Sequence, residues 1–169
     1  GIEMVLNGTI INQNGWVWKL GMNLTHYKNK VTELPLKDMP QSGVNKLQVG
    51  RSVYDFYMKE WAGVDPDNGN PLWYMDEVDA NDNPTGKRVT TSDYASANYY
   101  YVNKSSLPKV YGGFNTSLSW KGFDLSAIFA YSIGGYIYNR DITMILHNGS
   151  LEGRDWSTEI LRRWTPENR

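Results

Sequence analysis

The sequence predicts an all-β fold of antiparallel, up-and-down strands, on three observations. Two pairs of segments, within residues 1–27 and 110–138, alternate apolar and polar side chains with a period of two. The arms of each pair are joined by a very short turn, whereas long segments connect their opposite ends. Aromatic residues make up 14% of the chain as 12 Tyr and 7 Trp against 4 Phe, a bias toward rings with one apolar and one wet end.

The first arm, GIEMVLNGTII, sets Ile2, Met4, Leu6 and Ile10 on one side and Glu3, Asn7 and Thr9 on the other. The second, WVWKLGMNLTHY, sets Trp16, Trp18, Leu20, Met22 and Leu24 opposite Lys19, Asn23 and Thr25. Between them, a two-residue turn on Asn14-Gly15 would pair Ile10 with Lys19 and Ile11 with Trp18 and split the apolar face. A three-residue loop, Gln13 to Gly15, pairs Ile10 with Trp18 and keeps that face whole. Parity therefore predicts the three-residue loop, with Gly15 in the left-handed conformation.

Residues 28–109 are rich in Asn, Asp, Pro, Gly, Lys and Ser and hold no sustained alternation, so they read as a long loop region. Strand fragments are expected near Val53 to Trp61 and Leu72 to Met75, with the turn cluster DPDNGNP (65–71) between them.

The second hairpin contains FNTSLSWKGFDLSAIFAYSIGG (114–135). With Lys121-Gly122 as its turn, Trp120 faces Phe123, Leu118 faces Leu125 and Thr116 faces Ala127. One face then carries Phe114, Leu118, Trp120, Phe123, Leu125, Phe129 and Tyr131, the other Asn115, Ser117, Ser119, Asp124 and Ser126. The remainder, 139–169, reads as a loop and a short helix capped by Asp155 or Ser157 and stopped by Pro166.

Arms of about 10 to 12 residues suit tilted strands that cross a bilayer. A face of Ser, Thr, Asn and Lys suits a watery lumen. Trp16, Trp18, Trp120 and Phe123 beside the short turns would form one aromatic girdle, and Tyr27, Tyr131, Tyr136 and Tyr138 mark the far ends. Leu20, Leu118, Leu125 and Phe129 would meet lipid between them. The same alternation describes an antiparallel sandwich with one buried face. Pattern alone thus leaves two architectures open: a barrel wall, or a soluble carbohydrate-binding β-sandwich module.

The formal net charge of -1 gives no footprint for nucleic acid, and the absence of cysteine rules out disulfides and thiolate chemistry. No run of about 20 apolar residues is present for a spanning helix. The two histidines, His26 and His147, stand in no nucleophile-and-base arrangement, so the chain does not read as an enzyme. Asp65, Asp67 and Gly69, with Asp76, Glu77, Asp79 and Asp82 beyond, miss the spacing of a calcium loop: the sixth residue from Asp65 is Asn70 and the twelfth is Asp76. They read as a turn with solvated carboxylates, and no metal or other cofactor is expected. Trp61, Trp73, Tyr74, Tyr99, Tyr100 and Tyr101 are the candidate ligand-binding residues, because flat rings on a loop can stack on sugars or peptide side chains.

The runs YKNKVTELP (27–35), GVDPDNGNPLWY (63–74), LPKVYGGFNTSLSWKGFDLSAIFAYSIGGYIYN (107–139) and RRWTPEN (162–168) resemble the SusC/RagA-type TonB-dependent outer-membrane transporters of Bacteroidetes. The resemblance spans essentially the whole chain. It implies a fragment from the later part of a large transmembrane outer-membrane β-barrel of about 22 strands, with residues 28–109 as a long extracellular loop region. It also implies a nutrient importer for glycans or peptides, outer-membrane lipid around the barrel and a SusD-like surface lipoprotein as partner. Contact with the TonB complex would run through parts of the parent outside this chain, since no plug domain, TonB-contacting segment or signal sequence is recognisable in it.

Overall fold

The computed structural model describes residues 1–36, 39–147 and 149–168. In chain order the strands are β1 (Ile2–Gln13), β2 (Trp16–His26), β3 (Gln41–Ser42), β4 (Asn45–Lys46), β5 (Asp55–Lys59), β6 (Trp61–Val64), β7 (Pro71–Val78), β8 (Pro84–Thr91), β9 (Tyr99–Ser105), β10 (Val110–Trp120) and β11 (Phe123–Ile133). A short α-helix, α1 (Arg140–Ile145), and a 3₁₀ turn, Thr158–Arg162, follow them. The chain forms two compact units, Gly1–Phe56 with Asn103–Ile137 and Tyr57–Val102 with Tyr138–Arg169.

The first unit is built on a four-stranded antiparallel sheet in the order β1-β2-β10-β11. The second hairpin has the expected register, with Trp120 opposite Phe123, Leu118 opposite Leu125 and Thr116 opposite Ala127. Lys121 and Gly122 form its turn, at φ values of 47° and 90°. β10 lies directly against β2, Trp120 opposite Trp16 and Leu118 opposite Trp18, so the two hairpins stand with their short turns at the same end. Among the described residues, 28–109 add no strand to this sheet.

The first hairpin differs from expectation. Gln13 pairs with Trp16, so the turn is the two-residue Asn14-Gly15, both at positive φ, 53° and 77°. Parity is restored inside the strand: Thr9 pairs with Lys19 but Ile11 with Trp18, leaving Ile10 as a β-bulge. The extra residue that a continuous apolar face demands is present, but it sits four positions before the turn. Asn-Gly is the sequence best suited to a two-residue hairpin turn, and that local preference wins while the bulge absorbs the mismatch.

Among the described residues of the first unit, no second sheet covers either face of this one. Of the residues in β1, β2, β10 and β11, only Gly21 is buried. Phe123 is 76% exposed and Leu125 69% exposed. A sandwich would bury these side chains, so the soluble alternative is not favoured.

The smaller sheets lie in the loop region. β3, β4, β5 and β9 form one sheet in that order, with Asn45 opposite the buried Phe56. The second unit contains the meander β6-β7-β8, in which Trp61 faces Trp73 and Asp76 faces Arg88. The fragments expected near 53–61 and 72–75 fall on β5, β6 and β7, whereas β8 and β9 were not anticipated. In the C-terminal part, Ser157 caps as one of its two candidates, its hydroxyl accepting the Glu159 N–H at 3.2 Å. The turn it opens is 3₁₀ rather than α-helical. The α-helix lies earlier, where the Asn139 side chain accepts the N–H groups of Asp141 and Ile142.

Candidate functional site

On the apolar face of the large sheet the side chains form pairs set by the register. Trp16 and Trp120 stack beside the two short turns, ring centroids 4.8 Å apart and 15° from parallel. Lys121 extends its ammonium over the Trp120 ring. Trp18 donates its indole N–H to the Thr116 hydroxyl at 2.8 Å, which gives a polar group on an apolar surface its partner. Further along, Phe114 and Phe129 stack at 4.4 Å. Tyr131 donates its hydroxyl to the Asn23 carbonyl at 3.0 Å beside Gly112, where any side chain would collide with that tyrosine and with the Asn23 backbone. Leu20, Leu118, Trp120 and Trp18 are half-buried among neighbours on the same face, and Leu125 and Phe123 stand free.

The opposite face carries Asn7, Thr9, Lys19, Asn23, Asn115, Ser117, Ser119, Asp124 and Ser126 by alternation. Asn7 and Asn115 bend over Gly21, which is why that glycine is buried on an otherwise open surface. Apolar residues break the pattern, among them Val17 opposite Ser119, Val5 at 70% exposure and Ile128 at 86%. Sequence alternation gave no hint of them, because a single apolar residue among polar ones leaves the period intact.

The six candidate ligand-binding rings lie in the second unit and fall into three groups. Tyr74 and Tyr100 hold the Arg88 guanidinium between them, at 4.2 and 4.1 Å from the ring centroids. Arg88 also pairs with Glu60 at 2.9 Å, and Tyr100 donates its hydroxyl to Asp76 at 2.9 Å. Burial, and then the Asp76 carboxylate, push the Tyr100 phenol above its ordinary range. Trp61 and Trp73 meet edge to face, and Trp73 meets Tyr94 in the same way. Tyr99 and Tyr101 both pack on Tyr57. Lys59 lies over Tyr94 and Tyr99 and donates to the Tyr94 carbonyl.

Each ring is therefore engaged with a cation or another ring, and Trp61, 54% exposed, keeps the most open surface of the six. Such a cluster can stack on a flat or apolar ligand group at its open edges. It contains no arrangement for covalent chemistry. Sequence reasoning missed Tyr57, Lys59, Arg88 and Tyr94, since their partners come from other strands.

Two of the remaining polar candidates, Asp65 and His147, make local contacts. Asp65 accepts the Asp67 N–H at 2.9 Å and the Asn68 side-chain amide at 2.8 Å, closing the turn before β7. His147 is buried against Trp156, with Nδ1 accepting the Leu151 N–H at 3.1 Å.

No protein-family profile matches the chain. It is similar to TonB-dependent receptor P26 of Formosa agariphila, 28% identical over 189 residues, a match covering 99% of this chain and 18% of that receptor. TonB-dependent receptor P3 of the same organism is 25% identical over 182 residues, again with 99% and 18% covered. Among solved structures, the RagAB peptide transporter superposes with a TM-score of 0.81 at 31% identity, covering 98% of this chain and 18% of that one. The RagAB peptide importer in its closed-closed state gives 0.81 at 32%, with 97% and 18% covered. The chain thus spans about a fifth of the length of the relatives it matches. The resemblance to the SusC/RagA-type transporters holds at the level of sequence and of fold. The four-stranded sheet is a section of outer-membrane β-barrel.

Proposed function

We propose that this chain forms part of the wall and an external loop of a TonB-dependent nutrient importer, with a peptide or a glycan as cargo. The observation that carries the reading is the large sheet, whose apolar face is uncovered and whose two short turns lie at one end. Trp16, Trp18, Leu20, Leu118, Trp120, Phe123, Leu125 and Phe129 face lipid, with the tryptophans and Phe123 at the periplasmic girdle. The hairpins are 1–27 and 110–138. Residues 28–109 lie outside the cell, and 139–169 continue from the second hairpin. A SusD-like surface lipoprotein closes over the loops, and the TonB complex acts through parts of the parent outside this chain. The RagAB structures are named for peptide transport, which favours peptide cargo. The open edges of Trp61 and its neighbours suit either class of ligand.

This chain has no cysteine of its own, so in a parent made free of cysteine elsewhere a single-cysteine variant reports topology directly. In intact cells expressing the full-length parent, Asp67→Cys reacts with a membrane-impermeant maleimide and Lys121→Cys reacts only after permeabilisation. The opposite pattern, or labelling of both without permeabilisation, refutes the barrel orientation. Uptake of labelled oligopeptides and oligosaccharides by the same cells decides the cargo. Uptake of neither, with the labelling pattern intact, refutes import while leaving the wall assignment standing.

A further inference from the structure

The strands of the large sheet contain four glycines, Gly8, Gly21, Gly112 and Gly113. Three of them have a reason inside the chain. A side chain at Gly21 would strike Asn7 and Asn115, one at Gly112 the Asn23 backbone, and one at Gly113 the Phe129 carbonyl. Gly8 has no such reason: a Cβ there would meet nothing within 4 Å, and its backbone is extended rather than left-handed. Glycine inside a strand costs stability and often marks a place where a ligand or another chain comes close.

Gly8 stands on the apolar face, opposite Leu20 and two residues from both Leu6 and Ile10. Its missing side chain opens a notch of about 420 Å³, and the apolar side chains that line it are Leu6, Ile10, Leu20, Met22 and Phe114. Leu6, Met22 and Phe114 stand in one row across three strands and close the end away from the short turns. Phe114 is held in that row by its stack on Phe129 at 4.4 Å. Toward the turns, Ile10 at the β-bulge is the one lining residue beyond Gly8, so the notch is open on that side. At roughly 30 Å³ for a group the size of a water molecule, the volume has room for about a dozen such groups.

We propose that the Gly8 notch holds one acyl chain of a phospholipid from the leaflet on the side of the short turns, seated there rather than exchanging with its neighbours. The notch is continuous with the lipid-facing surface of the barrel section, so lipid is what lies beside it. Lipid tails are as apolar as the wall, and hydrophobicity therefore gives no preference for one position over another. Dispersion does, because wall atoms of an unfilled notch lack neighbours on one side, and a flexible chain that enters restores them. The closed row at one end and the open side at the other set the direction of entry. The site rests on the lipid-facing reading above. In the closed barrel a further strand pairs with the free flank of β1, and a large side chain leaning from it over Gly8 is the competing occupant.

The test uses the full-length parent, inserted in one orientation into asymmetric vesicles in which one leaflet at a time contains a phospholipid with a diazirine at mid-chain. After illumination, mass spectrometry maps the cross-linked residues. Leu125 and Phe129 are the references, since they flank Ala127, which stands in the same row as Gly8, Leu20 and Thr116. Leu6, Ile10 and Met22 are expected to carry about tenfold more label than the references, a preference of about 1.4 kcal/mol, when the probe is in the turn-side leaflet. Gly8→Leu fills the notch and should abolish the excess, Gly8→Ala should reduce it, and Leu125→Phe, which adds bulk to the same face outside the notch, should leave it unchanged. Should Gly8→Leu fail to insert, Gly8→Ala carries the comparison. Equal labelling of notch and references, an excess that survives both Gly8 variants, or labelling from the far leaflet alone overturns the proposal. Notch residues labelled less than the references overturn it in favour of a side chain from the neighbouring strand. Absence of label at Leu125 and Phe129 as well refutes the lipid-facing reading itself.

Discussion

Trp164 donates its indole N–H to the carbonyl of Pro66, 98 residues earlier, at 3.2 Å, and its ring stands directly on Gly69. Two of the sequence runs that carry the family resemblance, GVDPDNGNPLWY and RRWTPEN, thus meet in space within the second unit. Gly69 is required twice, for its φ of +77° and because a Cβ there would run into the tryptophan. Gly69→Ala is expected to destabilise this contact by about 1–3 kcal/mol. Hydrogen exchange in the full-length protein should show faster exchange at 65–70 and 163–168 while β1, β2, β10 and β11 keep their protection.

Burial of Tyr100, together with its bond to Asp76, gives the second unit an alkaline dependence. Because the Tyr100 phenol is held above its ordinary value of about 10, the folded state keeps the proton longer than the unfolded chain does. The stability this lends is present below the unfolded value and is lost as pH rises through the folded one. Tyr100→Phe should therefore flatten the loss of stability above about pH 10, read by thermal unfolding at a series of pH values. An unchanged slope would show that the Tyr100 phenol is not held by burial and Asp76 as described.

Met22 lies mid-strand on the apolar face, opposite Phe114 and Leu6. Met22→Lys should cost about 2–4 kcal/mol of barrel stability in a bilayer, since the ammonium would sit near the hydrocarbon midplane. On the other face, Ser117→Lys should cost far less, because that surface meets water. Folding of both variants into lipid vesicles under urea titration measures the difference.

Lys121 occupies a left-handed conformation that a branched or long side chain adopts at some cost. Lys121→Asn would give the second hairpin the same Asn-Gly turn as the first, and is expected to stabilise it by about 0.5–1 kcal/mol. It would also remove the cation over Trp120, so the net gain in urea midpoint should be smaller than for an equivalent change at a turn without an aromatic neighbour.

The large sheet was legible because its register is fixed twice over, by the period of the side chains and by glycine at each turn. Trp120 opposite Phe123 follows from counting alone. The bulge at Ile10 was not legible in position: counting reveals that one extra residue exists between Thr9 and Trp16 but cannot say whether the loop or the strand holds it. The loop region was read only in fragments, for a different reason. β8, with the sequence PTGKRVTT, has little apolar surface, and its place beside β7 is held by Arg88 between two tyrosines from β7 and β9. Contacts of that kind join residues distant in sequence and leave no local period to detect. The aromatic candidates were visible as residue types, yet their mutual packing was not.

The order β1-β2-β10-β11 leaves each outer strand with a partner on one flank only. Along the other flank of β1 and of β11 runs a ladder of amide and carbonyl groups, and hydrocarbon offers them nothing to bond with. Such a section is an arc, and an arc is tolerable in a bilayer only when a ring is closed around it. Excised from its ring, the same four strands would present two adhesive seams, and self-association through those seams would compete with any attempt to insert the arc on its own.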